Sequence, residues 1–546
     1  MDYYDLGTYS WKVTTSSRNA QMWFDRGLIW IYAYHHEEAI ACFKKALAAD
    51  PDCAMAHWGI AYAIGPNYNK PWDAFEDDEK PDALSQANEA VAHAIQLKSK
   101  VSAIEAALID AIERRYPLDS KVESFSPWND AYADAMREVH NVHRNSLDIC
   151  SLFAEAIMNR TPWQLWDLKS GNPADGANTL EAIDVLESAF DVLDGAWDHP
   201  GLLHMYIHLM EMSPHPERGL RQGDRLSTLV PDAGHLLHMG THVDVLCGDY
   251  MNVVSRNQAA IEADNKYLER DGADNFYSIY RCHNFHFKIY GAMFLGQPNV
   301  ALSAADELIE KLPETLLRPL ADWFEAFVPM KQHVLIRFGR WQDILDQPLP
   351  QDQKLYCVTT AMMHYARTVA FANIGDFDAA ASERELFFTA RDKVPDSRML
   401  FNNTCIDILK VAEQMLEGEL EYHKGDHEKA FEHLRHSVEI DDNLPYDEPW
   451  GWMQPTRHAL GALLLDQGIY EEAEAVYRAD LGLDSTLSRA CQHPGNVWSL
   501  HGLHECLTHR GEAIEAAHIG LQLEKALARA EVPIKASCFC RQTVSV

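Results

Sequence analysis

The chain has 546 residues, with 47 Lys and Arg against 82 Asp and Glu, a formal net charge of −35. A surplus of that sign excludes a nucleic-acid groove, which needs clustered cations to neutralise phosphates, and disfavours anionic membrane surfaces. Hydrophobic residues at 47% and charged ones at 24% describe a folded chain, long enough for several domains or for a solenoid that no single core limits.

The opening MDYYDLGTYSWKV has no basic-then-apolar leader pattern, and no run of about 18 apolar residues occurs. Eleven cysteines, an odd number scattered along the chain, argue against a disulfide framework. The expectation is a reduced, cytoplasmic protein with no membrane partner. In QMWFDRGLIWIYAYHHEEAIACFKKALAADP, Trp23, Gly27, Ala39, Phe43, Ala46 and Pro51 fall at positions 4, 8, 20, 24, 27 and 32 of a 34-residue helical repeat. Small residues let its two helices approach, aromatic ones fill the seam, and Pro51 stops the second helix. CAMAHWGIAYAIGPNYNKPW opens a second unit, broken by Gly65-Pro66, and residues 84–114 read as Ala-rich helices. RRYPLDSKVESFSPWND is a Pro- and Ser-containing joint.

Downstream, LIRFGRWQDIL, ANIGDFDAAASERE, YHKGDHEKAFEHL, LDQGIYEEAEAVYRADL and LTHRGEAIEAA share a turn-then-helix pattern with Gly339, Gly375, Gly425, Gly468 and Gly511 in the turn, where a left-handed backbone suits glycine. No strand-period alternation competes. The fold class is all-α, a tetratricopeptide-like helical solenoid or superhelix. Its expected parts are N-terminal repeats over 1–115, a central histidine-bearing block over 116–312, C-terminal repeats over 313–530 and a loose tail over 531–546 containing Cys538 and Cys540.

The histidines of the central block carry the functional reading. His204 and His208 form one HxxxH pair, and His238 and His242 form a second pair 34 residues later. Residues four apart share a helix face, and an offset of one repeat puts the same face on the neighbouring helix. With first helices beginning at Pro200, Gly234 and Cys282, His204, His208, His235, His238, His242, His283 and His286 fall at positions 2, 5 and 9, which line the inner side of such a repeat. Tyr290 takes position 9 of the third unit. The third start lies 48 residues after the second, and the extra residues over 268–281 read as a loop covering the site.

Imidazole is the commonest metal ligand near neutral pH, and seven exceed one four-coordinate site, so one or two ions fit the set. The nearly all-nitrogen donors suit copper, with zinc and iron as alternatives. Glu155, Glu211 and Asp244 are candidate carboxylate ligands or partners that fix histidine tautomers, and Glu155, Tyr280 and Tyr290 are candidates for the chemistry itself, with Tyr277 beside them. The reading is a metal-dependent oxidase or oxygenase acting on a small molecule with O2. Its rivals are an adaptor binding a peptide or protein partner and a dinuclear zinc or iron enzyme. His93, His140, His364 and His458 read as packing residues; His35, His36 and His57 read as turn or packing residues. No HExxH, P-loop, dinucleotide fingerprint or G-x-S-x-G is present.

YHHEEAIACFKKALAADPDCAMAHWGIAYAIGPNYNKPW, HPGLLHMYIHLMEMSPHPERGL, PDAGHLLHMGTHVDVLCGDY, HNFHF, DEPWGWMQPTRHALGALLL and HPGNVWSLHGLHECL resemble a tetratricopeptide-repeat family of bacteria and fungi with histidine-rich central repeats. The resemblance spans most of the chain. It implies the repeat fold and the position of the site.

Overall fold

The computed structural model describes residues 3–116 and 124–541. The expected joint after residue 114 falls partly on residues 117–123, and the end of the expected tail on 542–546, both outside the described residues. The chain divides into two compact units: residues 1–243 with 262–266, and residues 244–261 with 267–546.

The first unit is helical throughout. The repeat read at its start is the hairpin α1 (Arg18–Tyr32) and α2 (His36–Ala49), followed by α3 (Ala54–Ile64), α4 (Glu79–Leu97), α5 (Ala103–Glu113), α6 (Ser126–His143), α7 (Leu147–Met158), α8 (Thr179–Val192), α9 (Pro200–Glu211) and α10 (Leu220–Leu226). Each helix packs on its neighbour in sequence from α1 to α4, while α9 lies against α1, α7 and α8. Next come α11 (Gly234–His238) and α12 (Gly240–Leu246). The helix expected from Gly234 is interrupted in its hydrogen bonding at Met239, whose own backbone stays right-handed helical, so His238 and His242 lie on either side of that point.

α13 (Tyr250–Asp271) and α14 (Ser278–Leu295) take both ends of the expected covering segment over 268–281 and leave residues 272–277 as the loop between them. The extra residues lengthen helices, because NQAAIEADNKYLERD keeps helical spacing until Gly272 stops it at φ +80. The second unit continues with α15 (Pro298–Glu310), α16 (Glu314–Leu317), α17 (Ala321–Phe324), α18 (Met330–Arg337), α19 (Trp341–Leu345), α20 (Cys357–Ile374) and α21 (Phe377–Arg391). A two-residue strand pair, β1 (Met399–Leu400) with β2 (Asn403–Thr404), precedes α22 (Cys405–Lys424), α23 (His427–Asp442), α24 (Thr456–Asp466), α25 (Tyr470–Asp480), α26 (Val497–Arg510) and α27 (Ala513–Leu527). From α20 onward these form successive hairpins. Residues 534–541 are packed rather than loose: Arg337 donates to the Ser537 carbonyl at 3.0 Å, Tyr477 meets the Ser537 hydroxyl at 2.5 Å, and Cys538 is disulfide-bonded to Cys540.

One packing rule recurs in both units. The Phe43 ring of α2 is clamped between Gly27 of α1 and Gly59 of α3; a Cβ on either glycine would stand 2.5–2.6 Å from it. In the second unit Tyr477 of α25 is held the same way between Gly461 of α24 and Gly502 of α26. An aromatic of one repeat thus fills the space that two glycines of adjoining helices leave open, which brings the helix axes close together.

Because the ring is pinned from both sides, Gly59→Ala should destabilise the 20–64 region by about 1–3 kcal/mol, the usual cost of overpacking. Adding Phe43→Leu should recover part of that loss, since the two sites share one cavity. Amide hydrogen exchange over residues 20–64 measures both, and protection unchanged in Gly59→Ala would contradict the clamp.

Candidate metal centre

The position of α9 follows from its start. His199 caps it, its Nδ1 accepting the Leu202 N–H at 3.1 Å, while its Nε2 faces Asp148 Oδ1 at 3.3 Å. Asp148 also accepts the hydroxyls of Tyr9 and Tyr32, each at 2.8 Å. Two residues on, Gly201 lets α9 come against α1 and α7: a Cβ there would collide with the Tyr32 ring and the Ser151 hydroxyl. This approach lets His204 Nδ1–H reach the Tyr32 carbonyl at 2.6 Å, one of the carbonyls that a helix end leaves without an intrahelical partner.

His208 lies one turn further along α9, and its Nδ1 donates to Glu211 Oε1 at 3.0 Å. The other oxygen of Glu211 accepts from His242 Nδ1 at 2.7 Å. Nδ1–H bonds to a carbonyl or a carboxylate fix the tautomer and leave Nε2 with its lone pair. The Nε2 atoms of His204 and His208 are buried without a hydrogen-bond partner. One ligand atom from each of His204, His208 and His235 lies within 4.8 Å of the others.

His238 and His242 form a second pair. The Thr241 hydroxyl donates to the His238 carbonyl at 2.7 Å and lies 3.3 Å from His238 Nδ1. The Nε2 atoms of His238 and His242 are 2.7 Å apart. That separation suits one N–H···N bond or two nitrogens that share one ion. Nitrogens about 2.0–2.1 Å from one ion subtend this separation at about 80–85°.

His204, His208, Glu211, His235 and His238 are 0% exposed and His242 is 2% exposed. Burial pushes the His204 pKa down to about 3 and holds His208 and His235 well below the usual range, with the neighbouring imidazoles adding to the effect for the latter two. These three stand neutral at physiological pH, the form that binds metal.

Tyr34 joins the site unforeseen. Its ring stands 4.6 Å from His204 and is stacked on His235 at 5.6 Å and on His208 at 6.0 Å. Its backbone is left-handed, φ +53, and closes α1 as a Schellman turn: Tyr34 N–H bonds Ile31 O and His35 N–H bonds Trp30 O. Gly248, Gly296, Gly339, Gly375, Gly425, Gly468 and Gly511 close their helices in the same way, with φ between +61 and +90. Tyr34 occupies repeat position 15, the glycine slot. A tyrosine in that slot was the available sequence signal, since side chains there carry a steric cost of about 1–2 kcal/mol.

Glu155 on α7 is buried, its carboxyl pKa raised by desolvation; it accepts the Tyr62 hydroxyl, and Tyr34 also hydrogen-bonds to it. The remaining candidates belong to the second unit. His283 has the rings of Phe401 and Phe287 at 4.8 and 5.0 Å, and His286 Nε2 faces Met453 Sδ at 2.8 Å. Tyr280 packs on Tyr277, and Tyr290 meets His493 Nε2 at 3.0 Å. His493 Nδ1 and His458 Nε2 both reach Asp480, at 2.8 and 3.0 Å, so His458 is part of a buried polar network rather than simple packing. Asp244 pairs with Arg256 at 3.2 Å. His57 stacks on His93 and His140 on Phe153, as packing residues do.

Residues 20–53 match the tetratricopeptide repeat family model. Among solved structures, the human IFIT1 dimer with m7Gppp-AAAA is 12% identical, over 88% of this chain and 90% of that one, with a TM-score of 0.30. Yeast Tom70 is 10% identical over 93% and 96%, with a TM-score of 0.26. The tetratricopeptide domain of P58(IPK) is 13% identical over 93% and 98%, with a TM-score of 0.22. No curated protein matches the chain. No helix among the described residues is long and apolar enough to cross a membrane. Residues 20–53 are thus a tetratricopeptide repeat, and the helices from α20 onward are likewise paired into hairpins.

Proposed function

We propose that the first unit is a metal centre and that the protein is a metal-dependent oxidase or oxygenase for a small molecule. The observation that carries the metal reading is the triad of His204, His208 and His235, with one ligand atom of each within 4.8 Å of the others, beside the pair of His238 and His242, whose Nε2 atoms are 2.7 Å apart. One ion fits between that pair, and a second fits the His204, His208 and His235 triad, whose two orphaned Nε2 atoms it would satisfy. The donors are nitrogens, with Glu211 held behind them as a hydrogen-bond acceptor. Such a set suits copper first and zinc or iron next. A copper ion would supply O2 binding and one-electron chemistry.

Around it the chain supplies orientation and protons. Glu211 holds two imidazoles with Nε2 outward, Tyr34 covers three rings, and the Tyr34, Glu155 and Tyr62 network offers exchangeable protons beside them. A peptide-binding scaffold is the second reading, supported by the tetratricopeptide repeat itself, since that architecture commonly serves protein recognition. Under that reading, chelation leaves the protein's binding behaviour unchanged.

Elemental analysis of the purified, metal-loaded chain should give at least one equivalent of copper, zinc or iron. The double substitution His204→Ala and His208→Ala should remove at least one of them. No bound ion after loading with each metal sinks the proposal. A copper paramagnetic resonance signal and chelator-sensitive O2 consumption separate the oxidase from a zinc hydrolase.

Glu211→Gln tests the carboxylate. A glutamine offers one acceptor and one donor where two N–H groups need acceptors, so one of His208 and His242 must flip its tautomer and carry its proton on Nε2. Loss of such an acceptor typically weakens metal affinity 10–100-fold, measurable by competition with a chromophoric chelator. Equal affinity in the variant would remove Glu211 from the site.

A further inference from the structure

The loop between α23 and α24 breaks the rule that irregular segments run over the surface. It spans residues 443–455, and residues 446–453, YDEPWGWM, are all buried. It delivers Met453, 1% exposed, to His286 of α14, where Sδ stands 2.8 Å from Nε2. That is the length of a good N–H···O bond, yet the acceptor is the larger, weakly accepting thioether sulfur.

The residues on either side of Met453 are anchored on a second histidine. Gln454 donates to the His333 carbonyl at 2.7 Å, and the Trp452 ring meets the His333 ring edge-on at 4.8 Å. His333 lies on α18, which packs against α14. His286 and His333 are 0% and 3% exposed, and each keeps an Nδ1 atom with no hydrogen-bond partner. Phe327 and Phe401 line the His286 side at 5.7 and 6.4 Å.

We propose that His286, His333 and Met453 form a second metal site, within the second unit, selective for a soft monovalent cation, Cu(I). Thioether sulfur favours Cu(I) over the harder divalent ions, which take imidazole and carboxylate. Donors about 2.0 and 2.3 Å from one ion lie about 3 Å apart at a right angle, close to the separation observed here. Burial supports the assignment: it pushes both imidazole pKa values down to about 3, the field of His333 contributing at His286, so both are neutral donors. The aromatic rings of Phe327 and Phe401 give the site an apolar side that disfavours water. The site uses no residue of the His204, His208 and His235 triad or the His238 and His242 pair, so it stands or falls separately.

X-ray absorption at the copper edge of the full chain, loaded anaerobically with Cu(I), is the test. The expected result is one sulfur neighbour for one copper equivalent. Growth on selenomethionine should convert that neighbour to selenium, which thiolate from the buried cysteines would not do. Met453→Leu, close to volume-conserving, should abolish the selenium neighbour and lower Cu(I) affinity at least tenfold, and His333→Asn should lower it similarly. His204→Ala with His208→Ala should leave it in place. A nitrogen-only shell in the wild-type chain, or a selenium neighbour that survives Met453→Leu, overturns the proposal.

Discussion

Glu211 divides its two oxygens between His208 and His242, and the protonation of the first unit's cluster follows from that division. A buried carboxylate without donors is costly, and buried imidazoles without acceptors are costly as well. Placed together they satisfy one another, and the result has a direction: both rings present their Nδ1 atoms to the carboxylate and their Nε2 atoms to the opposite side. The Tyr32 carbonyl does the same for His204. The Nε2 atoms of His204 and His208 are then buried without a hydrogen-bond partner, and the proposed ion would satisfy both at once.

The support for this arrangement is the repeat itself. His204 and His208 sit on α9, whose distance from α1 is set by Gly201, in the way that Gly27 and Gly59 set the spacing around Phe43. Helix-mounted donors hold their geometry better than loop-mounted ones, and close helix approach brings a backbone carbonyl within reach of an imidazole. Tyr34 shows the opposite bargain. Seven other hairpins close with glycine in the left-handed slot; the first closes with a tyrosine whose ring covers His204, His208 and His235. Strain retained where the alternative residue is so common points to function rather than to packing.

Local, periodic features were legible in the sequence. The 34-residue offset located His204, His208, His235, His238 and His242 in one unit, and the glycine spacing located the turns. What escaped was non-local or required a specific bond. Nothing in the spacing distinguishes Glu211 from Asp244, yet the first bridges two histidines while the second pairs with Arg256. The interruption at Met239 escaped because HxxxH spacing presumes an unbroken helix. Residues 268–281 read as a loop from a count of extra residues, whereas helical spacing carries α13 to Asp271 and α14 begins at Ser278. Met453 and His333 lie far in sequence from His286, and methionine in an apolar stretch reads as ordinary core.

The two histidine settings differ in a way that chemistry can use. In the first unit every Nδ1 with a known acceptor is held by oxygen, which strengthens the ring as a donor and suits an ion that changes charge or binds an oxygen ligand. Around His286 the neighbours are sulfur and aromatic rings, with no carboxylate at hydrogen-bond distance among the described residues, a setting that would favour the lower oxidation state of a bound metal. One chain therefore presents a nitrogen set backed by oxygen and a softer set backed by hydrocarbon. The distinction arises from what stands behind each imidazole rather than from the imidazoles themselves. The softness of the second set depends on a single thioether, carried there by a loop whose residues 446–453 are all buried.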